Sequence, residues 1–303
     1  MCHSEFAPPT HPGNLLFSPR GAVLKVTFYG VRGSCPCPSE ANRRYGGNTA
    51  CVVVDAPGEP PVIFDLGTGL RQFGEHQPTD GSFRATAFLT HIHWDHVQGL
   101  PFFPPIDRVG AELDVYGPAQ EEGSLHDVFG DFMRPPYFPV HFSELRGDIR
   151  FHDVLDEDFS VGAAKVRIRP VPHCGPTLGF RVETGGYSVA YVSDHQAPLS
   201  LRGVADSVLE LCDGVDLLIH DAQYTQSEFR EKSHWGHCTV EYALLVAKEA
   251  GAHRLALFHH DPAHEDDELD RLLWEARCIS SGVGGVDEVV AAAEGLVIDL
   301  HRP

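Results

Sequence analysis

"LTHIHWDHVQGLPFF", residues 89–103, packs His91, His93, Asp95 and His96 into six positions and follows them with an apolar run. In an extended chain, alternate side chains leave on the same side. His91 and His93, emerging from the apolar stretch "ATAFLT" at 85–90, can therefore clasp one cation. Asp95 and His96 are adjacent, so they can serve a second cation together only if the chain turns there, as at a helix start. The run "VQGLPFF" can pack against the core and hold that turn. Imidazole and carboxylate donors suit zinc, manganese or iron, with zinc usual where nitrogen dominates. One loop thus reads as serving two neighbouring metal ions.

On either side of this loop, short β-branched runs read as strands. They are "AVLKVTFYG", "CVVVDA", "PVIFDLG", "ATAFLTH", "ELDVYG", "AKVRIRPV", "LGFRVE", "YSVAYVSD", "VDLLIHDA", "RLALFHHD" and "LVIDLH". Helical patterns separate the later ones. The clearest is "TVEYALLVAKEAGA", with Thr239 as N-cap and Gly251 at its C-terminal end, and "DELDRLLWEARCI" is a second. Gly- and Pro-rich turns between early strands, then strand–helix alternation, predict an α/β fold of two mixed sheets flanked by helices. With no repeat or linker-like stretch, residues 1–303 are expected to form a single domain. The Pro- and Phe-rich segment 126–144 has no period and reads as a loop or lid over a site, or equally as an irregular surface insertion.

Composition narrows the class. The chain of 303 residues carries a formal net charge of −20, and residues 261–303 hold 11 Asp/Glu against 3 Arg. Such a surface repels long polyanions, because nucleic-acid affinity rests on Lys and Arg neutralising phosphates; no long nucleic acid is expected as a partner. The opening "MCHSEFAPPTHPGNLLFSPRG" lacks a secretory pattern, and nowhere do about eighteen apolar residues run together. A cytoplasmic protein with no membrane partner is the expectation. Eight cysteines are too dilute for a disulfide scaffold. Cys35 and Cys37 in "GSCPCP" could anchor a structural zinc only with a partner pair that is not in view.

The His-x-His-x-Asp-His pattern of residues 91–96 resembles the signature of the metallo-β-lactamase fold superfamily. The remaining pattern follows in order: "VPHCGPTLGFRVE" supplies His173, "VAYVSDHQ" supplies Asp194 and "RLALFHHDP" supplies His259. The resemblance runs from residue 24 to 260 and implies an αββα sandwich. It also implies one divalent ion held by His91, His93 and His173, a second by Asp95, His96 and His259, and Asp194 bridging both. His259 is preferred to His260 because alternation puts it on the face of Leu255 and Leu257. His195 falls off the pattern and reads as a pocket-edge or surface residue. Asp65 in "VIFDLGTG" matches the aspartate that orients a histidine ligand, where a buried carboxylate fixes the tautomer. A turn-forming aspartate is its competing reading.

Two ions held close together can share a water, lower its pKa and stabilise a displacement, which suits hydrolysis. Aspartate rather than cysteine at the bridging position disfavours β-lactam hydrolysis and leaves thioesterases open. "IHDAQYT…SHWGHCTVEYA" resembles the paired motifs of the superfamily's phosphodiesterase branch, which includes the tRNA 3′-processing endonuclease and the phosphoribosyl cyclic phosphodiesterase. Carried over by position, His237 would protonate a leaving alkoxide, Asp221 would orient it, and Asp95 would complete the catalytic set. Asp221 stands where the endonuclease has Glu, and His237 could instead cap the helix beginning near Thr239. The endonuclease also carries a long arm where this chain has only residues 174–193. The expectation is a dinuclear metal-dependent phosphodiesterase, with two Zn2+ (or Mn2+ or Fe2+), cleaving a small or cyclic nucleotide or sugar phosphodiester with a metal-bridging hydroxide. The alternatives are a thioester or lactone hydrolase, an RNA 3′-processing endonuclease and a non-catalytic metal-binding sensor. Dimers are common in the resembling families, so a homodimer could complete the pocket.

Overall fold

The computed structural model describes residues 23–301. Cys2 and the N-terminal stretch read for a secretory pattern lie outside the described residues.

Two seven-stranded sheets pack face to face. The first holds β1 (Leu24–Gly30), β2 (Cys51–Asp55), β3 (Val62–Phe64), β4 (Arg84–Phe88), β5 (Glu112–Gly117) and β6 (Asp148–Asp153). The second holds β7 (Glu157–Val161), β8 (Ala164–Pro170), β9 (Leu178–Thr184), β10 (Tyr187–Val192), β11 (Leu217–Asp221), β12 (Arg254–Phe258) and β13 (Glu288–Ala291). The last strand, β14 (Val297–Leu300), returns to the first sheet and pairs antiparallel with β1, Leu24 opposite Leu300. Each sheet is antiparallel on one side and parallel on the other, with β3 to β6 parallel in the first and β10 to β13 parallel in the second.

Alternation along β1 shows why the strands lie as they do: Leu24, Val26 and Phe28 are buried, while Lys25 faces solvent. The inner faces meet in an aromatic core of Phe28, Phe64, Phe88, Phe180, Tyr191 and Phe258. Helices α1 (Gly69–Gly74) and α3 (Leu125–Phe132) cover the outside of the first sheet. Helices α4 (Asp206–Cys212), α6 (Val240–Glu249) and α7 (Asp266–Val283) cover the second. Two short helices, α2 (Trp94–Val97) and α5 (Gln226–Lys232), sit at loop ends. The result is the expected αββα sandwich. Thr239 caps α6 by accepting from the Tyr242 N–H at 3.2 Å, and Gly251 follows its last turn with φ of 65°.

All eleven strands read from sequence are present, and β6, β7 and β13 were missed. Segment 126–144 differs from the expected irregular loop, because it opens inside α3, where Ser124 accepts from the Asp127 N–H at 3.2 Å and Phe129 is buried. Its apolar spacing was hidden by the Pro-rich residues that follow. Among the described residues no helix is long and apolar enough to cross a membrane. Cys35 is exposed and Cys37 half-buried, and among the described residues neither joins a group of side chains able to hold a metal.

Candidate metal centre

The parallel strands of both sheets point their C-terminal ends at one place, and the loops leaving those ends carry the chemistry. Asp65 follows β3, the 91–96 loop follows β4, Asp194 lies just beyond β10 and His259 just beyond β12. His173 reaches the same place from the end of β8. β4 ends at Phe88, so His91 and His93 lie beyond the ladder rather than on a strand face. The turn needed for Asp95 and His96 is α2, as expected.

Two donor sets result. His91 Nε2 lies 2.8 Å from His93 Nδ1, His173 Nε2 lies 3.4 Å from the same atom, and Asp194 Oδ2 is 3.7 Å from both His91 and His173. In the second set His96 Nε2 is 3.3 Å from Asp95 Oδ2 and 3.2 Å from Asp194 Oδ1. His259 Nε2 is 3.2 Å and 3.1 Å from those two oxygens. Asp194 thus offers one carboxylate oxygen to each set. Donors around a tetrahedral zinc with bonds of about 2.0–2.1 Å sit about 3.3 Å apart, so both sets have the spacing a divalent cation needs. His96 Nε2 is buried with no hydrogen-bond partner, which an ion would supply. A third grouping, Asp194, His237 and His259, is also close, but His237 Nδ1 already faces Asp221 at 2.8 Å. The two sets sharing Asp194 therefore describe the site better.

The outward nitrogens of four of the five histidines are engaged. His96 Nδ1 is 2.8 Å from Asp65 Oδ2, His173 Nδ1 is 2.7 Å from the Gly236 carbonyl, and His259 Nδ1 is 2.9 Å from Gln223 Oε1. His91 Nδ1 meets Thr90 Oγ1 at 3.0 Å. Each contact leaves the other ring nitrogen bare and aimed inward, which is how outer partners fix a ligand's tautomer. Asp65 is fully buried and also accepts from the Thr90 N–H at 2.8 Å and the Tyr191 hydroxyl at 2.8 Å. It is no mere turn residue. The Ser34 N–H donates to Asp95 Oδ2 at 2.7 Å.

The electrostatics ask for positive charge. Burial raises the Asp95 and Asp194 carboxyls, yet the facing imidazoles more than offset it and hold both well below the ordinary carboxylate range. Burial depresses His96, but Asp95, Asp194 and Asp65 around it drive it well above the ordinary value. The two carboxylates and the imidazole they face thus attract one another where a divalent cation would be held.

His237 sits at the edge of this cluster, its ring stacked 5.0 Å from that of His259. Burial lowers its pKa, but Asp221, then Asp194 and Asp95, push it up to about 8. Asp221 is buried and oriented: Oδ2 also accepts from the His195 N–H at 3.1 Å, and Oδ1 from the Gln223 N–H at 2.9 Å. Thr239, not His237, caps α6.

All seven predicted ligands, together with Asp65, His237 and Asp221, come together. His195 corrects the reading of a pocket-edge or surface residue: it is fully buried, its Nδ1 3.0 Å from His220 Nε2. It stands three positions past the end of β10, and its ring packs 5.4 Å from that of Tyr242 in the helix-covered core. His260 is also buried, with Nε2 2.9 Å from the Ala292 carbonyl, away from the donor sets. Sequence reasoning missed Gln223, Thr90 and Gly236. Gln223 had a signal, standing two positions after Asp221; the Gly236 carbonyl had none.

The profile described as "Beta-lactamase superfamily domain" matches residues 62–260. A ribonuclease Z of Haloarcula marismortui is 27% identical over 330 aligned positions, covering 93% of this chain and 98% of that protein. Among solved structures, the metallo-beta-lactamase fold protein YhfI from Bacillus subtilis superposes with a TM-score of 0.68 at 20% identity, covering 92% of this chain and 100% of that one. The short form of human tRNase Z gives 0.66 at 23% identity, covering 90% and 98%. With the profile spanning most of the chain and the donor sets at the strand ends, the protein belongs to the beta-lactamase superfamily domain family and is a metal-dependent hydrolase of the metallo-β-lactamase fold.

Proposed function

We infer that the protein is a dinuclear phosphodiesterase acting on a small or cyclic nucleotide or sugar phosphodiester. His91, His93 and His173 would hold one divalent ion, Asp95, His96 and His259 the other, and Asp194 both; the nitrogen-rich donor set favours zinc over manganese or iron. Bound there, such a pair supplies Lewis acidity and a water of lowered pKa. The observation that carries the diester reading is the His237–Asp221 pair, 2.8 Å apart beside the donor sets. An alkoxide leaves a phosphodiester poorly unless protonated, and His237 can give a proton from Nε2 while Asp221 holds Nδ1 and stabilises the imidazolium that carries that proton beforehand. A thiolate needs no such donor.

Small size is favoured by the chain between His173 and Asp194, which is filled by the β9–β10 hairpin and its Gly185–Gly186 turn, leaving no arm to grip a folded RNA. The net charge of −20 argues the same way. The second reading, an RNA 3′-end endonuclease, is favoured by the ribonuclease Z alignment running through 98% of that relative.

The test is protein of measured metal content, assayed with cyclic nucleotides, an aryl phosphodiester, a precursor tRNA and a thioester. His237→Ala is expected to slow diester turnover about 10²–10⁴-fold while leaving metal content unchanged. Turnover of the thioester alone would overturn the reading, and turnover of precursor tRNA in preference to small diesters would replace it with the second.

A further inference from the structure

A large apolar cleft borders the metal centre and takes no part in the chemistry above. Its volume is about 640 Å³, within the range of small-molecule pockets. The loop that supplies ligands inward also supplies one wall outward: His91, His93, Asp95 and His96 face the donor sets, while Ile92, Trp94 and Val97 line the cleft. The opposite wall comes from α3 and the residues after it, among them Phe132, Tyr137 and Phe138.

Three observations say what the cleft would hold. The first is continuity with the reacting centre. His93 is the exposed ligand, so the donor sets open to solvent on its side, and the cleft begins at its two chain neighbours. Trp94 lies one Cα–Cα step, about 3.8 Å, from both His93 and Asp95. The second is exposed aromatic surface. Trp94 is 73% exposed, Phe102 58% and Tyr137 77%, and the rings of Phe102 and Phe138 meet edge to face at 5.8 Å. Large aromatics grouped in solvent around a concavity mark a binding surface. The third is charge. Among the described residues no Lys or Arg lines the cleft, and the one charged side chain there, Asp131, is already paired with Arg134 at 2.8 Å. A phosphate has nothing to bind there, whereas a flat uncharged ring does, and the Gln98 amide adds one neutral polar group for a ring edge.

We propose that this cleft receives the nucleobase attached to the scissile phosphodiester, its ring held between Trp94 on one wall and Phe138 on the other. The substrate is then a nucleotide rather than a bare sugar phosphodiester, which deepens the phosphodiesterase reading and rests on it for the kinetic part of the test. Stacking on an aromatic side chain tolerates any base, so the preference is for a base over none and not for one base over another.

The experiment uses the full metal-loaded chain with adenosine 2′,3′-cyclic phosphate and its base-free counterpart, methyl riboside 2′,3′-cyclic phosphate. The base-bearing substrate should be favoured about tenfold or more in kcat/KM, with the difference lying in KM. Trp94→Ala and, on the opposite wall, Phe138→Ala should each remove most of that preference, with metal content measured in both. Independently of turnover, adenosine should quench tryptophan fluorescence saturably, and Trp94→Phe should abolish the quenching. Equal kcat/KM for the two substrates, or a preference surviving in both variants, would overturn the proposal. So would a Phe138→Ala protein of altered oligomeric mass and unaltered base preference, which would assign the face to a second copy of the chain. If no phosphodiester is turned over, the phosphodiesterase reading fails, and the adenosine titration still decides the cleft.

Discussion

Three residues of the site hold a backbone conformation that L side chains avoid: Asp65, Asp194 and His259 have φ of 58°, 56° and 59°. Each such residue costs on the order of 1–3 kcal/mol, and strain of this kind persists only where the surroundings impose it. Here each sits just past a strand end, where the chain must swing sideways for its side chain to meet donors from the other sheet. Space is as tight as conformation. A Cβ on Gly33 would lie 2.4 Å from the His259 ring, so Gly33→Ala must push that imidazole off its line with Asp95 and Asp194. The expected outcome is a protein that keeps one equivalent of metal in elemental analysis and loses the second. Retention of both equivalents at unchanged chelator resistance would show that His259 is free to shift. At this scale the sequence was most legible, because imidazoles and carboxylates are rare at such spacing and have few other uses. The outer contacts were least legible. The Gly236 carbonyl and the Thr90 hydroxyl belong to residue types found everywhere, and only the folded chain selects them.

Among elements, legibility followed burial. The missed strands β6, β7 and β13 are all sheet edges, and β14 is the one edge strand that was read. Edge strands carry charge to discourage pairing with other chains, which dilutes the apolar alternation on which a strand is recognised. β6, "DIRFHD", and β7, "EDFSV", show this plainly, with no residue fully buried in either. Central strands such as β11 are buried throughout and read as unbroken apolar runs. Helix α6 was legible for a different reason, its paired end signals. Thr239→Ala removes the side-chain acceptor for Tyr242 N–H and is expected to cost about 1 kcal/mol in denaturant unfolding. Because His237 is held by Asp221 and not by the cap, diester turnover should stay within about threefold of the parent. A collapse of activity at unchanged stability would mean that the cap, and not Asp221, positions His237.

On the scale of the whole molecule, neither the sheet orders nor the return of the last strand to the first sheet could be read from local pattern, since both depend on pairings distant in sequence. What the two sheets do share is the seam at their strand ends. His91, His93, Asp95 and His96 come from the first sheet, and His173, Asp194 and His259 from the second, so divalent ions would fasten one sheet to the other. Without them only the His96 and His259 imidazoles link the Asp95 and Asp194 carboxylates across the buried seam. Removing metal by chelation should therefore lower the melting temperature by several degrees, since a ligand at a hundredfold its Kd adds about 2.7 kcal/mol to the folded state. An unchanged melting temperature in protein shown to have lost its metal would mean that the seam is held by the aromatic core alone. The antiparallel pairing of β14 with β1 has another consequence: Leu24 and Leu300 lie side by side, so the two ends of the described fold are neighbours. A short Gly/Ser bridge between them, with new termini cut at the Gly185–Gly186 turn, gives a circularly permuted chain whose strands keep every pairing. Such a rearranged protein should refold, and an affinity handle could then be attached at the far rim without touching either sheet's ends.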